Sequence, residues 1–214
     1  MPIICPTILA AEPKQYKEQI ERVASFAHRL QIDLTDGIFA GPLTVDVKEA
    51  WWPAATLADF HLMYDHPLPT VKIILKHHPH LIIVHAEAKG RFDEVLDYCQ
   101  SRKVKVGVAL LQKTKPQLIL PALNRIDHVL IFSGELGKQG GNAHLDLLEK
   151  VFFLKSQKPS LEIGWDGGIN DQNVSELVAG GVDVLNVGGF IQKAQDPKKA
   201  FETLQRVADE TGTT

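Results

Sequence analysis

Acidic and imidazole side chains close a series of short apolar runs in this 214-residue chain: Asp33 and Asp36, His61, His85 and Glu87, and Asp166. Thr7 precedes them, and Gly188-Gly189 follows. Carboxylates and imidazoles gathered at one place can exchange protons with a substrate or coordinate a divalent cation. The glycine pairs point to a second kind of chemistry. Asp166-Gly167-Gly168-Ile169-Asn170 and Val187-Gly188-Gly189-Phe190 let the backbone approach an anion with no side chain in the way, as a phosphate site requires. Taken singly, a charged residue past an apolar run is commonly a solvated loop residue, and Gly-Gly occurs freely in turns. The shared placement of these groups gives them weight.

Short runs rich in Val, Ile and Leu alternate with amphipathic segments along the whole chain. The runs are Ile3–Thr7, Leu30–Leu34, Leu57–Met63, Leu81–His85, Val106–Leu110, His128–Phe132, Leu161–Trp165 and Val182–Val187. They read as parallel strands buried on both faces. Helical stripes lie between them. Tyr16, Ile20, Val23, Ala24 and Ala27 form one, and Phe92, Val95, Leu96 and Cys99 another. Ala200, Phe201, Leu204, Val207 and Ala208 form the last, begun by Asp196-Pro197. Pro121 predicts a kinked or interrupted helix in the fifth interval.

Eight strand–helix units predict an α/β fold, a single (β/α)₈ TIM barrel over residues 1–214, with a doubly wound open sheet as the structural alternative. The strand ends recur every 22–28 residues, apart from one step of 34 between Phe132 and Asp166. That step holds the glycine-rich stretch from Ser133 to Asn142, where a barrel enzyme could carry a lid. A barrel gathers its chemistry at the C-terminal strand ends, so the groups named above would converge on one mouth. The loops after strands seven and eight are the fold's usual phosphate site.

Composition narrows the remaining classes. The chain is 44% hydrophobic and 23% charged with a net charge of −3, which gives no support for nucleic-acid binding. No apolar run approaches a membrane span, and the N-terminal residues lack the pattern of a secretion signal. Cys5 and Cys99 suggest no disulfide framework, so a cytoplasmic setting is expected.

The motifs resemble those of the ribulose-phosphate 3-epimerase family from about residue 3 to residue 191. Pro6-Thr7-Ile8-Leu9-Ala10-Ala11 resembles its Pro-Ser-Ile-Leu-Ser-Ala strand, and Gln31-Ile32-Asp33-Leu34-Thr35-Asp36-Gly37-Ile38-Phe39 its His-x-Asp-x-Met-Asp-Gly-x-Phe motif. Asp59-Phe60-His61-Leu62-Met63, Val84-His85-Ala86-Glu87-Ala88 and Trp165-Asp166-Gly167-Gly168-Ile169 are similar to three further strands. The resemblance implies a ribulose-phosphate-binding barrel and an isomerase of carbohydrate metabolism, in the pentose phosphate pathway. It would interconvert D-ribulose 5-phosphate and D-xylulose 5-phosphate by 1,1-proton transfer at C3 through an enediolate. Asp33 and Asp166 would be the two acid/base groups, facing each other across the mouth. They and His61 would hold a divalent metal (Zn, Fe, Mn or Co) acting as Lewis acid. Thr7, Met63, His85, Gly167, Gly168, Gly188 and Gly189 would contact the substrate. A homo-oligomer is also expected.

The chain departs from the family pattern at the site. A second metal histidine is replaced by Gln31, whose carbonyl is a weaker ligand toward Zn or Fe. Thr35 stands for a methionine and should make that wall more polar. Gly134–Gly141 replaces the usual loop after strand six, and Gly189 stands for a serine. These departures keep open a 3-epimerase of a hexulose 6-phosphate, such as allulose 6-phosphate, and a non-catalytic phosphate-binding barrel. Related decarboxylases and aldolases resemble an Asp-x-Lys-x-x-Asp strand, and Asp33-Leu34-Thr35-Asp36 has no lysine.

Other candidates read as structural. His77-His78-Pro79-His80 lies before strand four, away from the mouth, and reads as a solvated turn. His28, His66, His128 and His144 are isolated. Trp51-Trp52, after the second helical interval, reads as exterior packing or a subunit contact. His85 and Glu87 could touch substrate or orient a ligand from behind.

Overall fold

A computed structural model describes residues 1–212. Eight parallel strands close in chain order: β1 (Ile3–Ile8), β2 (Arg29–Thr35), β3 (Leu57–Met63), β4 (Leu81–His85), β5 (Lys105–Leu110), β6 (His128–Phe132), β7 (Glu162–Asp166) and β8 (Val184–Val187). β1 pairs with both β2 and β8, which closes the ring. Around it lie α1 (Pro13–Val23), α2 (Leu68–Ile74), α3 (Phe92–Gln100), α4 (Leu148–Gln157), α5 (Val174–Ala179), α6 (Gly189–Gln192) and α7 (Pro197–Gly212). This is the TIM barrel expected from the strand rhythm. No helix among the described residues is long and apolar enough to cross a membrane.

Two crossovers differ from the expected strand–helix unit. After β2 the chain forms only a 3₁₀ turn at Val47–Glu49, so Trp51 and Trp52 follow no α-helix. Trp51 instead accepts the Tyr16 hydroxyl at its carbonyl (2.7 Å), and Trp52 packs edge-on against Phe60. After β5 a 3₁₀ helix at Pro116–Arg125 replaces the α-helix. Pro121 lies inside it, lacks the N–H that an α-helical turn would use, and crowds the preceding turn.

Strand alternation decides what enters the barrel. In β2 the apolar Leu30, Ile32 and Leu34 pack outward against the helices, leaving Arg29, Gln31, Asp33 and Thr35 on the opposite face. β3 does the same, with Phe60 and Leu62 outward and Asp59, His61 and Met63 inward. These strands are therefore polar on one face, and not apolar on both as their composition suggested. The outer layer supplies most of the apolar burial, with Trp165, Phe60 and Tyr16 among its largest fully buried side chains. Each such residue contributes on the order of 2 kcal/mol by transfer from water. A smaller apolar cluster of Leu81, Ile83, Ala109 and Leu130 fills part of the barrel interior.

The N-terminal end of the barrel is closed by charge. Arg29 meets Asp59 at 2.6 Å and Glu162 at 2.8 and 3.0 Å. His128 Nδ1 reaches Glu162 at 2.8 Å, and His80 Nδ1 reaches Asp59 at 2.7 Å. Burial alone would raise the Glu162 carboxyl, but hydrogen bonds from His128 and Arg29 hold it well below the usual range. His80 thus ties down the barrel floor, and His128 lies inside it.

Candidate active site

The C-terminal strand ends surround a cavity of about 230 Å³. Thr7, Asp33, Met63, Asp166, Gly167, Gly168, Gly188 and Gly189 all line it. The loop after β6 covers one side through Gly134 and residues 137–141. His61 and Gln31 lie fully buried beneath, and His85 stands behind His61 instead of on the wall.

Register builds the acidic centre. Asp33 on β2 is paired with His61 on β3, and Asp166 ends β7 beside Phe132 and Asn186. His61 Nδ1 lies 2.8 Å from Asp33 Oδ1 and 3.9 Å from Asp166 Oδ2. Gln31 Nε2 donates to Asp33 Oδ1 at 2.8 Å and to Asp166 Oδ2 at 2.5 Å. One amide thus ties together two carboxylates that would otherwise repel each other. Burial and then the neighbouring Asp33 charge raise Asp166 to about 7, so it holds a proton for much of the neutral range.

Behind this pair runs a line of buried groups. His61 Nε2 is 2.9 Å from His85 Nε2, and His85 Nδ1 is 3.4 Å from Glu87 Oε2. Phe39 and Phe132 pack against the imidazoles. Burial lowers His85 to about 4, so its ring is neutral at physiological pH. Burial would raise Glu87, yet the neighbouring His85 ring and hydrogen bonds from Thr114 and the Leu111 amide hold it below its usual value. Glu87 therefore faces inward as an acceptor and does not reach the cavity.

The donor set fits a divalent cation. Asp33, His61 and Asp166 offer ligand atoms within 4.8 Å of one another. Gln31 Oε1 is buried without a hydrogen-bond partner among the described residues. Turned end for end, the Gln31 amide would present that oxygen to a cation between the carboxylates.

The glycine loops are held open by their conformation. Gly167 and Gly168 have φ of +116° and +74°. A Cβ on Gly168 would fall 2.0 Å from the Ala143 nitrogen, and one on Gly188 would fall 2.8 Å from Thr7 Oγ1. Gln139 reaches across to the Thr7 carbonyl at 3.3 Å, bringing the loop after β6 onto β1.

Two residues near the mouth have different work from that expected. Asp36 accepts the amides of Ile38, Phe39 and Asp65, which ties the loop after β2 to β3. Thr35 donates its hydroxyl to the Pro42 carbonyl and does not line the cavity, so it adds no polar wall. Gln139 and Asn170, from the two loops singled out in the sequence, also line the cavity, together with two residues that sequence reasoning overlooked, Asn186 and Lys193. Of these only Asn186 had a legible signal, a polar residue inside an apolar run, two positions before Gly188.

Comparison with known proteins agrees with this geometry. Residues 3–192 match the model of the ribulose-phosphate 3-epimerase family. The chain is 32% identical over 212 residues to the ribulose-phosphate 3-epimerase of Helicobacter pylori strain J99, covering 95% of this chain and 97% of that protein. It is 27% identical over 209 residues to the Schizosaccharomyces pombe enzyme of the same name, covering 94% and 92%. Among solved structures, a 3-hexulose-6-phosphate synthase superposes with a TM-score of 0.69 at 18% identity, covering 96% of this chain and 99% of that one. The 3-keto-L-gulonate-6-phosphate decarboxylase of Vibrio cholerae gives a TM-score of 0.73 at 11% identity, covering 98% of both chains. These two likenesses concern the fold alone. The family match spans the strands that carry Asp33, His61 and Asp166, and the chain belongs to the ribulose-phosphate 3-epimerase family.

Proposed function

We propose that this chain inverts C3 of a ketose 5-phosphate, interconverting D-ribulose 5-phosphate and D-xylulose 5-phosphate. The observation that carries this reading is the pair Asp33 and Asp166, set on β2 and β7 and both lining one cavity. Inversion through a planar enediolate needs one group on each face, one taking a proton and one giving it. Asp33, which faces His61 and Gln31, is the base for one epimer. Asp166, on the opposite side of the mouth, is the acid that delivers a proton to the other face. In the reverse direction the roles exchange. A turnover leaves the proton on Asp33, so the pair must re-equilibrate before repeating the same direction.

Gln31 fixes the spacing of the carboxylates, and His61 orients Asp33. Asp33, His61 and Asp166, with the Gln31 oxygen, would hold a divalent ion. Such an ion supplies Lewis-acid stabilisation of the charge that develops on the substrate oxygen. With two carboxylates and an amide for one imidazole, the set suits harder ions better than one with a second imidazole would. The glycine loops after β7 and β8 would hold the phosphate, and the loop after β6 would exclude water. A panel of pentulose 5-phosphates and hexulose 6-phosphates tests the substrate class. The proposal expects turnover of the pentulose 5-phosphates; a clear preference for a hexulose 6-phosphate would overturn it.

A further inference from the structure

β8 places a second amide inside the barrel. Asn186 is 2% exposed and lies in register with Asp166 on one side and Cys5 on the other. Its strand neighbours Leu185 and Val187 pack outward in the main core, while Asn186 lines the same cavity as Asp33, Asp166 and Thr7. Neither Oδ1 nor Nδ2 has a hydrogen-bond partner among the described residues. A buried polar group left unmet costs on the order of 1–3 kcal/mol, and an apolar side chain of similar shape would avoid that cost. The carboxamide therefore needs a partner from the cavity.

The chemistry of that partner follows from the amide itself. A carboxamide sets a donor and an acceptor side by side. An ionised phosphate only accepts, and would leave Oδ1 facing another oxygen lone pair. A carbonyl has the same fault. Neighbouring hydroxyls satisfy both atoms, one accepting from Nδ2 and the other donating to Oδ1. Asn186 pairs with Asp166 and precedes Gly188 by two residues, which sets it between the acid/base pair and the glycine loop. We propose that Asn186 is a binding residue that holds the vicinal hydroxyls of a phosphorylated sugar and so selects a diol formed by the reacting carbon and its neighbour. This rests on the sugar-phosphate reading above and deepens it.

The test is calorimetric binding to the full-length protein, with D-ribulose 5-phosphate, its 4-deoxy analogue and inorganic phosphate as probes. Asn186→Val should bind D-ribulose 5-phosphate roughly 10–100-fold more weakly and inorganic phosphate as the wild type does. The 4-deoxy analogue should lose less than D-ribulose 5-phosphate does between the wild type and Asn186→Val. Asn186→Leu keeps the shape without adding charge, should show the same selective loss, and serves as the comparison if the valine variant does not fold. Equal binding of the sugar phosphate by wild type and variants would overturn the proposal. So would an equal loss for inorganic phosphate. The affinity is read whether or not the protein turns the sugar phosphate over. Selective loss in a protein that performs no C3 exchange would keep the diol contact and remove the epimerase reading, whereas exchange without selective loss would do the reverse.

Discussion

The carboxamide nitrogen of Gln31 stands 2.5 Å from Oδ2 of Asp166. The same nitrogen lies 2.8 Å from Asp33, so one neutral group spans both carboxylates. It lessens their repulsion without supplying a charge. As a cation ligand it must turn and give up both hydrogen bonds, which lowers the net gain on binding. Gln31→His should therefore raise affinity for a divalent ion by roughly 10–100-fold, and Gln31→Leu should lower it. Competition against a metal-sensing dye measures both. An unchanged affinity in the histidine variant would show that position 31 takes no part in binding a cation.

Asp166 gives the metal-free protein a pH dependence. Its carboxyl is raised by burial and by Asp33 from 3.8 to about 7 in the folded chain. A raised folded value means that its contribution to stability is full below the unfolded value and is lost as pH rises through about 7. Relative to Asp166→Asn, the chelator-treated wild type should lose stability between about pH 4 and about pH 7. Urea midpoints for both proteins across that window measure the effect. A constant difference would mean that Asp166 titrates normally. Metal binding below pH 7 should also release a proton, seen as a buffer-dependent heat.

At the opposite end of the barrel, Arg29 should matter for stability alone. It is 4% exposed and satisfies both Asp59 and Glu162. Arg29→Ala leaves the buried Asp59 and the half-buried Glu162 without their cation and should cost about 3–5 kcal/mol in denaturant unfolding. Affinity of the folded variant for inorganic phosphate should stay at the wild-type value. A change there would connect the floor of the barrel to its mouth.

Gly168→Ala tests the phosphate loop. The φ of +74° disfavours any L side chain, and the new methyl would meet backbone 2.0 Å away. The loop from Ala143 must move, so inorganic phosphate binding should fall at least about 10-fold while the barrel still folds. Unaltered binding would place the anion elsewhere.

Much of the architecture was legible because β-rich runs recur at regular intervals and several end in a polar or glycine residue. Asp33, His61 and Asp166 were legible for the same reason, since strand ends share one mouth in a closed barrel. What was hidden depended on direction. Arg-Leu-Gln-Ile-Asp-Leu-Thr in β2 alternates strictly, yet an apolar outer face and a polar inner face become evident only once the barrel closes. Asn186 was lost in the same way, as one polar residue in a run counted as core. The missing helix after β2 was signalled by Gly41-Pro42 and Pro53, which the strand–helix rhythm masked, whereas Pro121 announced the other interruption. Asp36 looked like a site residue because a turn acceptor and a catalytic carboxylate share one side chain, and only its three amide partners separate them.

The central claim is proton transfer at C3 by two carboxylates, and solvent-deuterium incorporation with D-ribulose 5-phosphate in the metal-supplied enzyme tests it most directly. The wild type should place deuterium at C3 and yield both epimers. Asp33→Asn and Asp166→Asn should each lose inversion by roughly 10²–10⁴-fold, the size of a general acid or base contribution. Each variant retains one carboxylate and should exchange one epimer preferentially, returning the proton to the face it left. Absence of C3 deuterium in the wild type, or inversion that survives loss of either aspartate, would contradict the account.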